Sequence, residues 1–548
     1  MVIQSLFDLV NNDIGQCPRG RHSELTDAAL CRAPDTGTRT RRARRGRVAI
    51  VKGVSTGPGT VPVVKIGPGM LLLTRFLAAA PPDKPDGSAG TPPALLEYLG
   101  VASGPSVGFD YHTVFGLGTR DGGSLTVGTG LKREDADELF DGVAIKLGQC
   151  AAYPSQFELI PADSPSPSGC GVQWVHRIQS KDQSKSAQLL WAAEAPDGSY
   201  AIVAGLVWVD RAYSRYLAKL NATTGHKIWE WLPGSERDAG STYEGFESVS
   251  FTKDGGLIAS GFVGASAEPH FKSSGQVEDG RPNVIKISAS QVAASSAPLA
   301  PQWSYTSRHD EDAYIGSAKV VREEESTGHV VAIVGTGAAI VYLTAGGEEA
   351  AVADVAAHGQ ASDFALVPGG LLLSGLRGSQ STTVCPDGCT YVAGRLSYVT
   401  LGITRIELQW SRSYGNPPGG KYQFAGLPKG PDELIYNECW GVQPTTNASG
   451  AVDGAVMACG TGIEGCDTAG LTPALIAQCK SDPRTTWRAM TIAADLAGEL
   501  TWRRVDSFKP EGESTVGTSA AEYVFLTASG APVLVTDEGF GAGWVMLK

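Results

Sequence analysis

The chain has 548 residues, of which 42% are hydrophobic and only 19% are charged, and it contains 69 glycines. This length allows one large repeat fold or three to four ordinary domains, and it excludes a small single module. The glycine content lies well above the roughly 7% of ordinary proteins and is typical of a folded chain rich in turns. The formal net charge of -12 argues against nucleic acid or an anionic membrane as the main partner.

Residues 1–90 differ in composition from the rest of the chain. They are rich in Gly, Pro and Arg, and six of the nine residues from Arg39 to Arg47 are arginine. A block of like charge without periodic apolar residues predicts a disordered basic arm. The longest apolar run near the start, Met70 to Ala80, is far shorter than the roughly 20 residues that span a bilayer, so no transmembrane segment is expected.

The signals for a cellular compartment conflict. The first ten residues, MVIQSLFDLV, lack the basic region and the small-residue cleavage site of a secretory signal peptide. Ten cysteines and two sequons nevertheless fit an oxidising, glycosylating compartment. We therefore expect an extracellular or cell-surface protein without a recognisable signal peptide, with Asn221 and Asn447 as candidate glycosylation sites.

From about residue 93 onward a repeated pattern appears. Its first part is a tight turn followed by a short apolar run and a glycine, as in RDGGSLTVG from Arg120 to Gly128. This pattern is typical of a buried strand that leaves a hairpin turn. It recurs in PDGSYAIVAG (196–205), KDGGLIASG (253–261) and VPGGLLLSG (367–375), and more weakly in TGHVVAIVG (327–335), DGAVMACG (453–460) and SGAPVLVTD (529–537).

Two further parts follow in most units. One is a strand such as DGVAIKL from Asp141 to Leu147, and the other places a tryptophan late in the unit. Each unit thus holds about four short strands, and no stretch keeps a 3.6-residue apolar period, so the chain is predicted to be nearly all β. One large ring per unit would fill the gap between radially arranged sheets. The five tryptophans at this position are Trp174, Trp229, Trp303, Trp410 and Trp502.

Seven four-stranded units predict a seven-bladed β-propeller for residues 91–548. The last unit ends at Lys548 directly after its third strand, so its fourth strand must come from elsewhere in the chain. Residues 93–100, PALLEYLG, precede the first unit and read like the strand LQWSRSYG around Trp410. We expect this N-terminal segment to pair with the last blade and to close the ring.

These repeats resemble the secreted propeller repeats of the form DGGY-I-x-x-G with K-x-D-x-x-G-x-x-x-W. The segment AKLNATTGHKIWEW from Ala218 to Trp231 also resembles the tryptophan-docking motif of quinoprotein (PQQ-like) propellers. The resemblance implies a fold and seldom an activity. A quinoprotein dehydrogenase would carry docking motifs in most blades and an adjacent cysteine pair over the cofactor. This sequence has one good motif and no adjacent pair, so no quinone cofactor is expected.

The sequence offers candidates for disulfide bonds and for a calcium site. A zinc site is less favoured because no second Cys or His pair follows the short spacing of Cys385 and Cys389. The loop from His309 to Asp312 is the densest acidic stretch, so Asp310, Glu311 and Asp312 are candidate calcium ligands, with a solvated loop as the alternative. The disulfide candidates are Cys150, Cys170, Cys385, Cys389, Cys439, Cys459, Cys466 and Cys479.

Two hypotheses of function remain, since the chain lacks an HExxH zinc motif and a GxxxxGK[ST] phosphate loop. The first is a non-catalytic propeller scaffold that binds a protein or glycan partner. The alternative is a propeller enzyme that acts on polysaccharide as a lyase or glycoside hydrolase. A quinone-cofactor dehydrogenase is a less favoured form of the enzyme hypothesis. An enzyme would need His, Tyr, Arg and carboxylate groups that converge at the channel mouth. The residues to inspect for this are Tyr111, His112, His309, Asp310, Asp312 and Tyr314.

Overall fold

The structure is a computed structural model, and its described residues all lie between Leu95 and Leu547. The predicted disordered arm, residues 1–90, lies outside them. The described ranges are 95–103, 109–132, 139–149, 159–161, 171–209, 211–233, 242–266, 279–298, 300–377, 390–391, 393–402, 404–414, 434–464, 488–506, 520–537 and 542–547.

These residues form seven antiparallel sheets of four strands each, arranged in a ring, which is a seven-bladed β-propeller. Two of the sheets carry one additional short strand. The first strand of each sheet contacts the first strands of both neighbouring sheets, so the first strands are innermost. The predicted all-β class and the predicted blade number are confirmed. A single short helix, α1 (Ala289–Ala293), occurs among the described residues.

The blades are numbered in chain order, and the strand bounds of the first four are as follows. The segment β1 (Leu95–Ser103) precedes blade 1 and belongs to blade 7. Blade 1 contains β2 (Phe109–Gly118), β3 (Ser124–Leu131), β4 (Phe140–Leu147) and, after the short β5 (Leu159–Pro161), β6 (Val172–Ile178). Blade 2 contains β7 (Ala187–Glu194), β8 (Tyr200–Val209), β9 (Ala212–Asn221) and β10 (Lys227–Trp231). Blade 3 contains β11 (Tyr243–Phe251), β12 (Leu257–Ala265), β13 (Arg281–Ile287) and β14 (Trp303–Thr306), and blade 4 contains β15 (Ser317–Glu323), β16 (Val330–Gly335), β17 (Ala339–Leu343) and β18 (Glu349–Asp354).

The remaining three blades follow the same order. Blade 5 contains β19 (Gln360–Val367), β20 (Gly370–Arg377) and, after the short β21 (Thr390–Tyr391), β22 (Ala393–Thr400) and β23 (Glu407–Tyr414). Blade 6 contains β24 (Leu434–Thr446), β25 (Val452–Glu464), β26 (Arg488–Asp495) and β27 (Leu500–Asp506). Blade 7 contains β28 (Ala520–Leu526), β29 (Pro532–Asp537), β30 (Ala542–Leu547) and β1.

Blade 7 joins the two ends of the propeller. β1 pairs antiparallel with β30, with Leu95 opposite Leu547 and Ala102 opposite Ala542. This pairing confirms the predicted closure by the N-terminal strand. The strand covers Leu95–Ser103 rather than residues 93–100, so it continues beyond the glycine at which the sequence pattern placed its end.

The repeated Asp-Gly turns connect the first and second strands of their blades. In blade 1 the Lys146 ammonium donates to the Asp121 carboxylate at 2.7 Å, and Asp121 also accepts the backbone N–H of Gly123 at 3.0 Å. Blade 3 repeats this arrangement, with Lys286 at 3.1 Å from Asp254. The Asp and Lys of the repeat therefore hold the turn against the third strand, as the interpretation of the turns as hairpin chemistry predicted.

All five predicted tryptophans lie on the outermost strand of their blade. The Trp174 indole N–H donates to the carbonyl of Ala222 in blade 2 at 2.9 Å. The ring lies against the backbone of Gly225, where a Cβ atom would stand 2.6 Å from the indole. Trp303 repeats this contact with the carbonyl of Ala345 in blade 4, at 3.0 Å. Each of these two rings thus docks on the next blade, which confirms the predicted role in filling the gap between sheets.

Candidate functional site

Every first strand contains a β-bulge at the equivalent position. In each blade the pairing between the first and second strands skips one residue of the first strand at this point. A bulge re-aims a side chain and is frequent next to functional sites. We call the seven skipped residues the bulge ring: Val114, Leu190, Glu247, Lys319, Ser362, Trp440 and Glu522.

In four blades, the glycine that ends the repeated apolar run lies next to this bulge. Gly205 lies opposite the residue before the bulge of its blade, and so do Gly128, Gly261 and Gly375. A Cβ atom at Gly205 would stand 1.9 Å from the carbonyl oxygen of Gln188, and one at Gly261 would stand 2.0 Å from that of Gly245. At these two glycines a side chain would require the first-strand backbone to shift. The equivalent position in blades 4, 6 and 7 holds Val334, Cys459 and Thr536, so the bulge itself does not require glycine there.

Five of the seven members of the bulge ring line the central channel. The residue before the bulge is buried in all seven blades, whereas five bulge-ring residues are partly exposed. The first strands contact one another around the ring, so a solvent-facing position on them faces the channel between them. The five partly exposed members are Val114, Lys319, Ser362, Trp440 and Glu522.

Two charged members of the bulge ring stand in neighbouring blades. Glu247 of blade 3 is only 8% exposed, and one of its carboxylate oxygens, Oε1, has no hydrogen-bond partner among the described residues. Burial raises the pKa of Glu247 to about 7, against the opposing effects of Lys319 and of a hydrogen bond with Ser317. Burial also lowers the pKa of Lys319, which Glu247 opposes. Glu247 is therefore a buried carboxyl on an innermost strand, with a pKa raised toward neutral pH.

A second group of side chains meets one to three positions further along the first strands. We call it the axial cluster, and its members are Phe115, Trp191, Arg322, Asp363 and Tyr523. The Arg322 guanidinium donates a hydrogen bond to Asp363 at 3.0 Å, and the Tyr523 hydroxyl donates one to Asp363 at 2.9 Å. The Phe115 ring lies 4.0 Å from the Trp191 ring and 4.4 Å from the Tyr523 ring, between centroids. Because Arg322 belongs to blade 4 and Tyr523 to blade 7, this cluster crosses the channel.

The polar groups of the axial cluster are satisfied by one another. Asp363 also accepts the backbone N–H of Val442 at 3.2 Å. Burial and the Asp363 charge raise the pKa of Tyr523, so its hydroxyl keeps its proton. Burial lowers the pKa of Arg322, but Asp363 and Tyr523 outweigh that effect and raise it. The cluster holds a paired cation, an anion and a neutral phenol, which is the composition of a structural brace.

Most residues selected from the sequence for the channel mouth lie elsewhere. The His309 ring is 2.9 Å from Glu349 on β18, the outermost strand of blade 4, and it packs against Tyr314 with ring centroids 4.9 Å apart. Asp310 accepts a hydrogen bond from Arg281 at 2.6 Å. This group lies toward the outer side of blades 3 and 4, because the chain between β14 and β15 approaches the outermost strand there.

The other two selected residues lie on β2. His112 is two positions before the bulge, and its ring packs edge-on against Phe140 of β4 with centroids 6.3 Å apart. Tyr111 lies next to it on the strand, and its side chain is outside the described residues. Neither belongs to the bulge ring or to the axial cluster.

The candidate calcium loop is described in part. Asp310 pairs with Arg281, and Glu311 lies 3.8 Å from the His309 ring. Asp312 begins a short 3-10 turn, Asp312–Tyr314. Within the described ranges, no three His, Cys, Asp or Glu side chains are placed to hold a metal ion. Calcium at Asp310, Glu311 and Asp312 stays a prediction.

Of the eight disulfide candidates, two are described and they are bonded to each other. Cys439 and Cys459 form a disulfide across β24 and β25, where they lie directly opposite. Asn447 is exposed in the turn between these strands, and Asn221 is half-buried at the end of β9. The other candidates lie outside the described residues: Cys150, Cys170, Cys385, Cys389, Cys466 and Cys479.

Sequence reasoning identified all seven second strands, six third strands and six outermost strands. It missed β17 and β18 of blade 4 and all of the first strands, which carry both the bulge ring and the axial cluster. A bulge interrupts the two-residue alternation that marks a strand, so segments such as 243–251 show no clean pattern. The sequence signal for the first strands was indirect. The recurring glycine of the second strand marks a close backbone approach, and the skipped residue is the one that follows the glycine's partner on the first strand.

Comparisons with known proteins show low similarity only. No protein-family model and no curated protein sequence matches the chain. The chain is similar to Sqt1 from Chaetomium thermophilum, at 10% identity and a TM-score of 0.41 over 83% of this chain and 98% of that chain. It is similar to BamB from Moraxella catarrhalis, at 10% identity and a TM-score of 0.30 over 80% of this chain and 100% of that chain. It is also similar to a glucose dehydrogenase, at 12% identity and a TM-score of 0.32 over 65% of this chain and 95% of that chain.

The fold assignment therefore rests on the strand pairings of this chain and not on these similarities. In the described part of the chain, no helix has the length and apolar character needed to cross a membrane.

Proposed function

We propose that this protein is a non-catalytic propeller scaffold that binds a protein or glycan partner where the bulge ring meets solvent. The observation that supports this proposal is that the polar groups of the axial cluster form hydrogen bonds with one another. Its carboxylate, guanidinium and phenol are all engaged in bracing blades 4, 5 and 7. The bulge ring then offers a half-exposed mixture of aromatic, apolar and polar groups, a composition that suits partner recognition.

The enzyme hypothesis remains as a second candidate because of one pair. Glu247 has a pKa raised to about 7 and interacts electrostatically with Lys319 of the neighbouring first strand, and a carboxyl with a pKa near neutrality can serve as a general acid or base. A match to the G-x-S-x-G pattern at Gly104 to Gly108 does not add to it. That segment connects two strands, β1 and β2, whereas a nucleophile elbow connects a strand to a helix.

A comparison of channel and surface variants tests the proposal. The wild-type chain would be applied to a glycan array and, immobilised, to protein extracts of its source. The Trp440→Ala variant removes the aromatic member of the bulge ring, and Ile228→Ala, at an exposed position on β10, is the matched control. We expect a partner that Trp440→Ala loses by at least about tenfold in affinity and that Ile228→Ala retains.

Two results would contradict the scaffold. One is a set of partners whose affinities are identical for wild type and Trp440→Ala. The other is catalytic depolymerisation of a polysaccharide by the wild type that Glu247→Gln abolishes, which would establish the enzyme.

We further propose that the protein works outside the cell or at its surface. The Cys439–Cys459 disulfide and the exposed Asn447 sequon support this placement. Expression through a secretory pathway should yield a chain whose mass falls on treatment with an N-glycosidase. An unmodified Asn447 together with two free thiols at Cys439 and Cys459 would argue for a reducing compartment.

A further inference from the structure

A cavity of about 280 Å³ lies between blade 7 and blade 1. Its walls are the β2–β3 turn of blade 1 and the β28–β29 turn of blade 7, together with the end of β4 and the start of β29. The lining residues Gly118, Arg120, Gly122 and Ala528 are exposed, so the cavity is open to solvent between the two turns. We call this cavity the seam pocket, and it shares no residue with the bulge ring or the axial cluster.

In two other pairs of neighbouring blades, a hydrogen bond joins the positions that flank the seam pocket. Between blades 1 and 2, the backbone N–H of Arg120 donates to the carboxylate of Glu194 at 2.7 Å. Between blades 3 and 4, the backbone N–H of Lys253 donates to the carboxylate of Glu323 at 2.6 Å. Each donor lies two residues after the end of a first strand, and each acceptor is the last residue of the next blade's first strand. The repeat therefore places a carboxylate against this N–H.

At the seam pocket the donor is present, but its position opposite carries no carboxylate. Ala528 lies two residues after the end of β28, and the last residue of β2 is Gly118. The Ala528 N–H has no hydrogen-bond partner within the part of the chain that the structure describes. A side chain at position 118 would require a shift, because a Cβ atom there would stand 2.9 Å from the Phe525 ring. A carboxylate that reaches this N–H must therefore come from a ligand.

The turn of blade 7 has the same geometry as the turn of blade 1. In both, the residue after the first strand donates its N–H to the carbonyl four residues later, at 2.9 Å. The glycines of the two turns, Gly122 and Gly530, have φ angles of 81° and 82°. The Ala528 N–H is therefore directed at the end of β2, as the Arg120 N–H is directed at the end of β7.

The floor of the seam pocket is apolar. It includes Leu147, Phe525 and Val533, all of them buried. Among the lining residues Arg120 alone is charged, and its charge is positive. An apolar cavity of about 150 Å³ holds a benzene ring, so the seam pocket has room for one ring and a short chain.

We propose that the seam pocket binds a small free monocarboxylic acid with an apolar body. The carboxylate accepts the hydrogen bond of the Ala528 N–H, as Glu194 and Glu323 do at the equivalent positions of their blades. The apolar body lies on Phe525 and Leu147, and the positive charge of Arg120 favours an anion at the mouth. This inference goes beyond the proposed function, which concerns the bulge ring.

The substitution Ala528→Pro removes the donor, because proline has no N–H. Blade 2 already has a proline, Pro196, two residues after its first strand, so this turn position accepts proline. The matched control is Ala448→Pro, at the same position of the turn between β24 and β25 in blade 6. Ala448 belongs to the Asn447 sequon, so the wild type and both variants are produced without glycosylation.

Ligand-observed NMR titration of the full chain tests this inference. The probe is 3-phenylpropionate, with 3-phenylpropanamide as the neutral analogue and 3-phenylpropylamine as the cationic analogue. We expect 3-phenylpropionate to bind with a Kd of about 1 mM or below. It should bind at least about tenfold more tightly than either analogue and about tenfold more weakly to Ala528→Pro. Ala448→Pro should leave its affinity unchanged.

A tripeptide distinguishes a free acid from the end of a protein chain. Gly-Gly-Phe carries a carboxylate and an aromatic ring at a C-terminus. We expect it to bind more weakly than 3-phenylpropionate, because the cavity has room for only about one ring and a short chain. Equal or tighter binding of the tripeptide would overturn the assignment to a free acid.

Three other results would refute the pocket as a carboxylate site: no binding of 3-phenylpropionate at about 10 mM, equal binding of the amide, or equal affinity of wild type and Ala528→Pro. If Ala528→Pro fails to fold, as judged by circular dichroism, hydrogen–deuterium exchange of the wild type decides. The acid should then slow exchange in the peptide that contains Ala528 and not in the one that contains Ala448, and any other pattern would refute the site. The scaffold is tested separately, because Trp440→Ala leaves the seam pocket intact.

Discussion

In blades 2, 3 and 5, the glycine at the end of the repeated apolar run is explained by the strand opposite it. At Gly205, Gly261 and Gly375 a Cβ atom would fall within 1.9 to 2.0 Å of a first-strand carbonyl oxygen. These glycines therefore accommodate the close first-strand backbone beside the bulge in these three blades, whereas blades 4, 6 and 7 have Val334, Cys459 and Thr536 at that position. These glycines, which the sequence pattern marked only as the ends of apolar runs, therefore help to shape the candidate site.

The substitution Gly261→Ala tests this role. The added methyl group would meet the carbonyl of Gly245, so the first strand of blade 3 must shift. We expect a loss of about 1–3 kcal/mol in the free energy of unfolding, measured by urea denaturation. The matched control is Gly346→Ala, where a Cβ would meet only the Thr344 hydroxyl at an ordinary 3.7 Å. Equal stability of the two variants would show that the bulge does not constrain this glycine.

The outermost strands connect neighbouring blades through docked tryptophans. The Trp174 ring lies on the Gly225 backbone, and its N–H reaches the Ala222 carbonyl of the next blade. The contact joins a large buried apolar area to one directional hydrogen bond. Both components can be separated by substitution, because phenylalanine keeps a ring but removes the donor.

We expect Trp174→Ala to lose about 3 kcal/mol of stability, since it leaves a large cavity between blades 1 and 2. Trp174→Phe should lose less, about 1–2 kcal/mol, for the hydrogen bond and the smaller ring. Urea denaturation of both variants measures the difference. A Trp174→Phe variant as unstable as Trp174→Ala would mean that the donor, and not the packed ring, accounts for the contact.

At the scale of the whole molecule, the axial cluster couples blades that are distant in sequence. Arg322 and Tyr523 both bond to Asp363, although they are separated from it by 41 and 160 residues. Removal of the Asp363 charge leaves the Arg322 cation without its counterion in the channel. Breaking such a pair is more costly than replacing both partners.

Asp363→Asn should therefore lose about 3 kcal/mol of stability, and the double variant Asp363→Asn with Arg322→Met should regain part of that loss. The free energies of unfolding of the two single variants and the double variant form the required cycle. Additive losses in the double variant would contradict the coupling of Arg322 to Asp363.

Much of the architecture was predictable, and the site was not. The seven second strands, the five outer tryptophans and the closing strand each have a local signature, because hairpin turns and large rings are specified by neighbouring residues. Blade 4 carries no outer tryptophan, so its β18 gave no such signal. The bulge ring joins residues up to 408 positions apart, from Val114 to Glu522, and only the closed ring brings them together. His309 and Asp310 attracted attention as a dense polar loop, but their partners lie on outer strands.

The central claim is that the N-terminal strand completes blade 7 and so closes a seven-bladed ring. Tyr98 and Val545 are direct partners in the β1 and β30 register. The double variant Tyr98→Cys with Val545→Cys should form a disulfide that peptide mass spectrometry identifies under oxidising conditions and that reductant removes. Tyr98→Cys with Leu534→Cys is the control, because Leu534 pairs with Val545 one strand further away. Efficient cross-linking of the first pair alone would establish the closure; no link at Val545, or an equal link at Leu534, would contradict it.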